Sequence, residues 1–191
     1  MNELRSLTEG LAVLLIDGRS GSGKTYLAKQ LAESGAQLLH LDLLYPGWGG
    51  LAEGSESVVS ALDLGRYQRY DWAAGAFEDE WTELDLTTPL IVEGCGALTV
   101  ANQAAALRWA QRVAERQAKV WSAAGRPSAT VEAVVKTLWL ECDDRLRRER
   151  ALARDGDIFA PHWDEWAAQE LAHFAAHKPW EFADQVCKIS A

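Results

Sequence analysis

Gly18, Gly21, Gly23, Lys24 and Thr25 stand in the order GxxxxGK[ST] within the stretch Asp17-Gly18-Arg19-Ser20-Gly21-Ser22-Gly23-Lys24-Thr25. That spacing suits a loop that binds phosphate. The glycines open backbone conformations that a Cβ forbids, so successive N–H groups along the Gly18, Ser20, Gly21, Ser22 and Gly23 cradle can converge on phosphate oxygens where a helix begins. The Lys24 ammonium would reach the β- and γ-phosphates, and the Thr25 hydroxyl would ligate Mg²⁺. A Gly/Ser turn could match the pattern by chance. Here, however, an apolar run over 12–16 precedes the loop and a helical pattern over 25–34 follows it, which is the context that the chemistry requires.

Other residues able to do chemistry lie at strand ends, in one long loop and on one charged helix. Asp42 follows a strand pattern over 37–41, at the edge where open α/β sheets bind ligands, although Asp is also an ordinary turn or cap residue there. Glu93 closes an apolar run over 90–93, where it could equally pair with a basic side chain. Asp17, just before the loop, reads as readily as a brace as a functional group. Arg147, Arg150 and Arg154 are spaced i, i+3, i+7 and share one helix face, which solvent and the neighbouring acids could also explain. His173 and His177 are i, i+4, but no third ligand accompanies them, so no metal centre is expected.

The elements that must position these groups alternate. Strands are expected over 12–17, 37–41, 90–93, 137–141 and 185–189. Helices are expected over 25–34, 57–64, 100–123, from 143 to about 155, and from Pro161 onward. Such alternation means α/β with a mostly parallel sheet. The region 45–71 reads as a long loop with small elements of its own, the kind that forms lids or binding regions. The long Ala-rich helix would bury Leu107, Ala110, Val113, Ala114 and Val120 or Trp121, and Gly125-Arg126-Pro127 would break it. Residues 130–135 are ambiguous between a short helix and a turn. The helix after Pro161 carries a core stripe of Trp163, Trp166 or Ala167, Glu170 or Leu171, and Phe174.

With 191 residues, 48% of them hydrophobic and 25% charged, the chain suits one soluble domain, 1–191. A net charge of −9 argues against a nucleic-acid or anionic-membrane surface, so an anionic ligand must be met by a local cluster of positive charge. Three widely spaced cysteines suit free thiols in a reducing compartment, and the N-terminal apolar run is too short for a signal peptide or a membrane span. A cytoplasmic location is expected.

Together, DGRSGSGKT, Asp42-x-x-Tyr45, Tyr70-Asp71-Trp72, Ile91-Val92-Glu93-Gly94 and the Arg-rich helix resemble the uridine kinase-like branch of the P-loop kinases. More narrowly, Leu43-Leu44-Tyr45-Pro46-Gly47-Trp48 and Phe159-Ala160-Pro161-His162-Trp163 are similar to segments of a bacterial group within it. The resemblance implies a three-layer P-loop NTPase fold with a mostly parallel five-stranded sheet, an acceptor-binding region at about 43–75 and an Arg-rich lid at about 143–160. It implies ATP and Mg²⁺ as cofactors, Asp42 as catalytic base, and Glu93 holding Mg²⁺ through water. Arg147, Arg150 and Arg154 would be lid arginines, and Tyr45, Arg69, Tyr70 and Asp71 would form the acceptor wall. Leu43 stands where the family commonly has a second acid. The expected activity is transfer of the γ-phosphoryl group to a nucleoside or similar small hydroxyl acceptor. A nucleoside monophosphate kinase, a P-loop ATPase and a non-catalytic nucleotide-binding protein are the alternatives.

Overall fold

The computed structural model describes residues 11–124 and 133–190. The expected break at Gly125-Arg126-Pro127 lies outside them, as do residues 130–132 of the ambiguous segment.

Strand β1 (Leu11–Gly18) is apolar at nearly every position, as a strand covered on both faces must be. Val13 and Leu15 join the core on one side, while Leu14 and Ile16 join a second cluster with Ala28, Leu31, Ile91, Leu138 and Leu140 on the other. Alternate side chains of a single strand therefore hold two helical layers onto one sheet. Around β1 lie β2 (Gln37–His40), β5 (Leu90–Glu93), β6 (Val134–Cys142) and β7 (Gln185–Ile189), in the order β2-β5-β1-β6-β7, with every pairing parallel. The molecule is a three-layer α/β fold with a parallel five-stranded sheet. Residues 134–135, read as helix or turn, extend β6, because they pair with the start of β1.

The helices are α1 (Lys24–Ala32), α2 (Leu51–Leu64), α3 (Val100–Ala123), α4 (Asp144–Phe159) and α5 (Trp163–His177). Asp143 caps α4 by accepting the N–H groups of Arg145 and Leu146. Within α4, Gly156 has φ 53° and ψ −132°, which kinks the helix where a residue with a Cβ would be strained.

Two expectations are corrected and one alternative is resolved. Residues 66–71 of the region read as a long loop are a strand: β3 (Arg66–Asp71) forms, with β4 (Ala76–Glu83), an antiparallel hairpin standing apart from the main sheet. Most of its side chains meet solvent, so its sequence carries no apolar alternation. In α3 the buried face is Ala105, Ala106, Trp109, Ala110 and Val113, whereas Leu107 and Val120 are exposed. That helix also closes α2, since Arg112 donates to the carbonyls of Leu62 and Asp63 while Arg108 grips the Asp63 carboxylate at 2.9 and 2.8 Å. In α5 the residue turned inward is Glu170, with Leu171 at the surface. Among the described residues, no helix is long and apolar enough to cross a membrane.

Candidate active site

The loop between β1 and α1 brings the glycines, Lys24 and Thr25 together at the carboxyl edge of the sheet. Asp17 is fully buried at its base and accepts the N–H groups of Gly18, Gly96 and Leu98 at 2.6, 3.0 and 2.9 Å. It therefore braces the loop against the turn after β5. Burial pushes its carboxyl up to about 7, against the pull of those donors and of Lys24. Gly21, at φ 82°, has no room for a Cβ, which would overlap the backbone carbonyl of Arg147. The start of α4 thus rests directly on the loop.

Lys24 is buried, and its ammonium donates to the Arg19 carbonyl at 3.2 Å and to the Cys95 thiol at 3.4 Å. Burial disfavours its charge, yet its pKa is raised, because Glu93, Asp17 and Glu170 surround it. Cys95 contributes proximity rather than charge, since burial pushes its thiol up to about 12 and keeps it neutral. Glu93, on β5, is almost fully buried and accepts hydrogen bonds from Thr25 Oγ1 at 3.0 Å and His40 Nδ1 at 2.5 Å. Burial alone would raise its carboxyl. The His40 hydrogen bond and the Lys24 charge overcome that and hold it below the usual range.

Asp42 lies in a short 3₁₀ turn (Leu41–Leu43) directly after β2. It is exposed to water at the wall of a cavity, yet the protein packed around its carboxyl, with Glu93 nearby, raises its pKa. That cavity, 290 Å³, is walled by Tyr45, Trp48, Trp72, Phe159 and Trp166, with Ser20, Asp42, Arg154 and Asp155 as its polar members. A second cavity of 330 Å³ lies over the glycine-rich loop and is lined by Gly21, Gly23, Lys24, Thr25, Tyr26, Lys29, Arg150 and Arg154. Arg154 lines both. A third, mainly apolar cavity of 610 Å³ adjoins the loop between Tyr26, Leu27 and Gln30 on α1 and Cys187 and Ile189 on β7, and Ser22 and Arg150 reach it too.

Not every residue expected in the site lies at these cavities. Arg150 and Arg154 face the loop, but Arg147 is buried behind it and bonded to Asp144 and Glu170. Of the expected acceptor wall, Tyr45 lines the cavity with Asp42, and its hydroxyl donates to the Cys95 carbonyl at 2.8 Å. Asp71 instead accepts the N–H groups of Ala73 and Ala74 to shape the hairpin turn. Tyr70 packs edge-on against Trp72 and Phe77, and Arg69 is exposed on β3.

Beyond Tyr45, sequence reasoning did not bring Trp48, Trp72, Phe159, Trp166 or Asp155 to one cavity. Tryptophans scattered from 48 to 166 carry no spacing that aims them at one cavity. The indole of Trp72 donates to the Asp42 carbonyl at 2.8 Å and that of Trp166 to Ser20 Oγ at 2.9 Å, so the wall holds both Asp42 and the loop. Glu170 was named only as an alternative to Leu171 on the core stripe and given no partner, although a carboxylate on an apolar helical stripe is itself a sign of a buried charged partner.

The parallel sheet and the glycine-rich loop after its first strand define a P-loop fold. Among solved structures the chain is similar to a possible uridine kinase from Bacillus stearothermophilus, with 16% identity and a TM-score of 0.55 over 97% of this chain and 95% of that one. It is also similar to a gluconokinase from Sinorhizobium meliloti 1021, with 14% identity and a TM-score of 0.44 over 93% and 81%. At such identities the likeness to the first shows a shared fold. No protein-family model matches the chain, and no curated protein matches it by sequence.

Proposed function

We propose that the chain is an ATP- and Mg²⁺-dependent small-molecule kinase that moves the γ-phosphoryl group to a hydroxyl of a nucleoside or similar acceptor. The observation that carries this reading is that the phosphate-loop cavity and the aromatic cavity holding Asp42 share one guanidinium, Arg154. A phosphoryl group leaving the loop and a hydroxyl arriving beside Asp42 would meet at that charge. Phosphoryl transfer asks for little more than such positioning and charge stabilisation.

In this reading the nucleoside part of ATP occupies the apolar cavity beside Tyr26 and Ile189, while the loop N–H groups and Lys24 hold its phosphates. The Asp42 carboxylate accepts the proton of the acceptor hydroxyl as its oxygen bonds to phosphorus and ADP leaves. Arg154 and Arg150 stabilise the charge that spreads over the transferring oxygens.

Among the described residues no group of three or more His, Cys, Asp and Glu could hold a metal ion. That fits Mg²⁺, which keeps waters and binds through one or two protein groups plus phosphates. The Thr25 hydroxyl and Glu93, 3.0 Å apart, would hold it, Glu93 through water. When bound, the ion neutralises charge on the β- and γ-phosphates.

An uncharged acceptor is favoured over a nucleoside monophosphate. An acceptor phosphate needs a well-placed arginine of its own, yet the arginine lining this cavity, Arg154, is assigned in this reading to the transferring group. Arg66 lies over Trp81 outside this cavity, and Arg69 does not line it. The test is ADP release from Mg·ATP across a panel of nucleosides, polyols and nucleoside monophosphates. At least one uncharged hydroxyl compound should stimulate release; stimulation by monophosphates alone would overturn the acceptor assignment.

A further inference from the structure

Glu170 lies on the inward face of α5 with no exposed surface, and no step of the proposed reaction uses it. Its Oε1 accepts the backbone N–H of Ser20 at 2.6 Å, inside the phosphate loop. Its Oε2 accepts Arg19 Nε and Arg147 Nη1, each at 3.2 Å. Asp144 closes the circuit, since its Oδ1 takes Arg19 Nη1 at 2.9 Å and Arg147 Nε at 2.6 Å. Two arginines and two acids therefore alternate in a ring whose charges balance. Arg19 comes from the loop, Asp144 and Arg147 from the first turn of α4, and Glu170 from α5. The Arg147 guanidinium also lies 5.1 Å from the centre of the Trp163 ring, and its carbonyl packs on Gly21.

A buried ion pair is weak grounds for a stability role, because apolar side chains of similar volume often serve as well. What apolar side chains could not do is hold a loop N–H and two guanidinium groups from different elements in fixed geometry. We propose that Glu170 is a positioning residue that locks the phosphate loop to α4, so that the loop and the arginines of the lid respond to nucleotide as one body. This rests on the reading above, in which the loop binds the phosphates of ATP and α4 carries Arg150 and Arg154 over them. It also gives Arg147 a task other than contacting phosphate: it is the lid's half of the lock.

The test is hydrogen exchange followed by mass spectrometry on the full chain, with and without Mg·ADP, for wild type, Glu170→Gln and Asp144→Asn. Glutamine keeps one oxygen for the Ser20 N–H but has no charge for the arginines. Asp144→Asn opens the ring at its exposed corner, where the side chain is 72% accessible, and carries the test if Glu170→Gln fails to fold. In wild type, nucleotide should slow exchange both in the loop, 18–25, and in the lid, 144–154. In either variant the loop should still be slowed, while the slowing in the lid falls at least about threefold, since local opening of α4 is no longer tied to the loop. A lid slowed equally in wild type and variants, or a wild type slowed in the loop alone, overturns the lock. No slowing in the wild-type loop would overturn nucleotide binding itself, and the lock with it.

Discussion

Arg154 is the side chain on which the proposed chemistry turns, because it is common to the two cavities and sits next to Asp155 in a bidentate pair. An arginine that acts on charge developing in the transition state should matter more to turnover than to ground-state binding. Arg154→Ala is therefore expected to lower kcat by about a hundredfold or more while changing nucleotide affinity by less than about threefold, as read from steady-state kinetics and calorimetry. A rise in KM for ATP with kcat intact would mean that it only holds ground-state phosphates. At this scale the motif residues Lys24, Thr25 and Glu93 were legible, since spacing and strand ends fix where they must lie. Asp155 was not, because an Asp beside an Arg on a charged helix has the same sequence signature as any solvated pair.

At the scale of elements, α4 carries Arg150 and Arg154 up to a kink at Gly156, after which Phe159 turns into the core and stacks on Trp48. One glycine thus joins the arginine-bearing part of α4 to the aromatic wall of the Asp42 cavity. A Cβ there meets nothing within 4 Å, so Gly156→Ala reports backbone strain alone. It should lower stability by about 1–3 kcal/mol in denaturant unfolding. A change below about 0.5 kcal/mol would show that the kink tolerates an ordinary residue. The central strands β1, β5 and β6 and the helix α3 were readable because buried parallel strands are continuous apolar runs and a long helix repeats its pattern many times. The β3–β4 hairpin was hidden for the opposite reason: a two-stranded ribbon outside the core buries too little to leave a period, and Arg66, Gln68 and Arg69 read as loop.

The whole molecule should feel pH through His173, which is buried on α5 beside His177 with their ring centres 4.3 Å apart. Burial, and then the neighbouring imidazole, lower its pKa from 6.5 to about 4. Between those values the unfolded chain binds more protons than the folded one, so stability present above pH 6.5 is lost as the pH falls towards 4. Asp17, raised to about 7, works in the opposite sense over an overlapping range, so the difference between variants isolates the histidine. Thermal unfolding across pH 4 to 7 should show a steeper acid loss in wild type than in His173→Gln. Parallel curves would assign the acid loss to other groups. The central claim, that the sheet edge sets a phosphate donor against a hydroxyl acceptor beside Asp42, is tested most directly by following label from [γ-³²P]ATP in wild type and Asp42→Asn. In wild type, label should appear on an acceptor hydroxyl, and in the variant it should appear at least about a hundredfold more slowly with nucleotide affinity unchanged. Label released only as inorganic phosphate by wild type, or transferred by Asp42→Asn at more than half the wild-type rate, would contradict it.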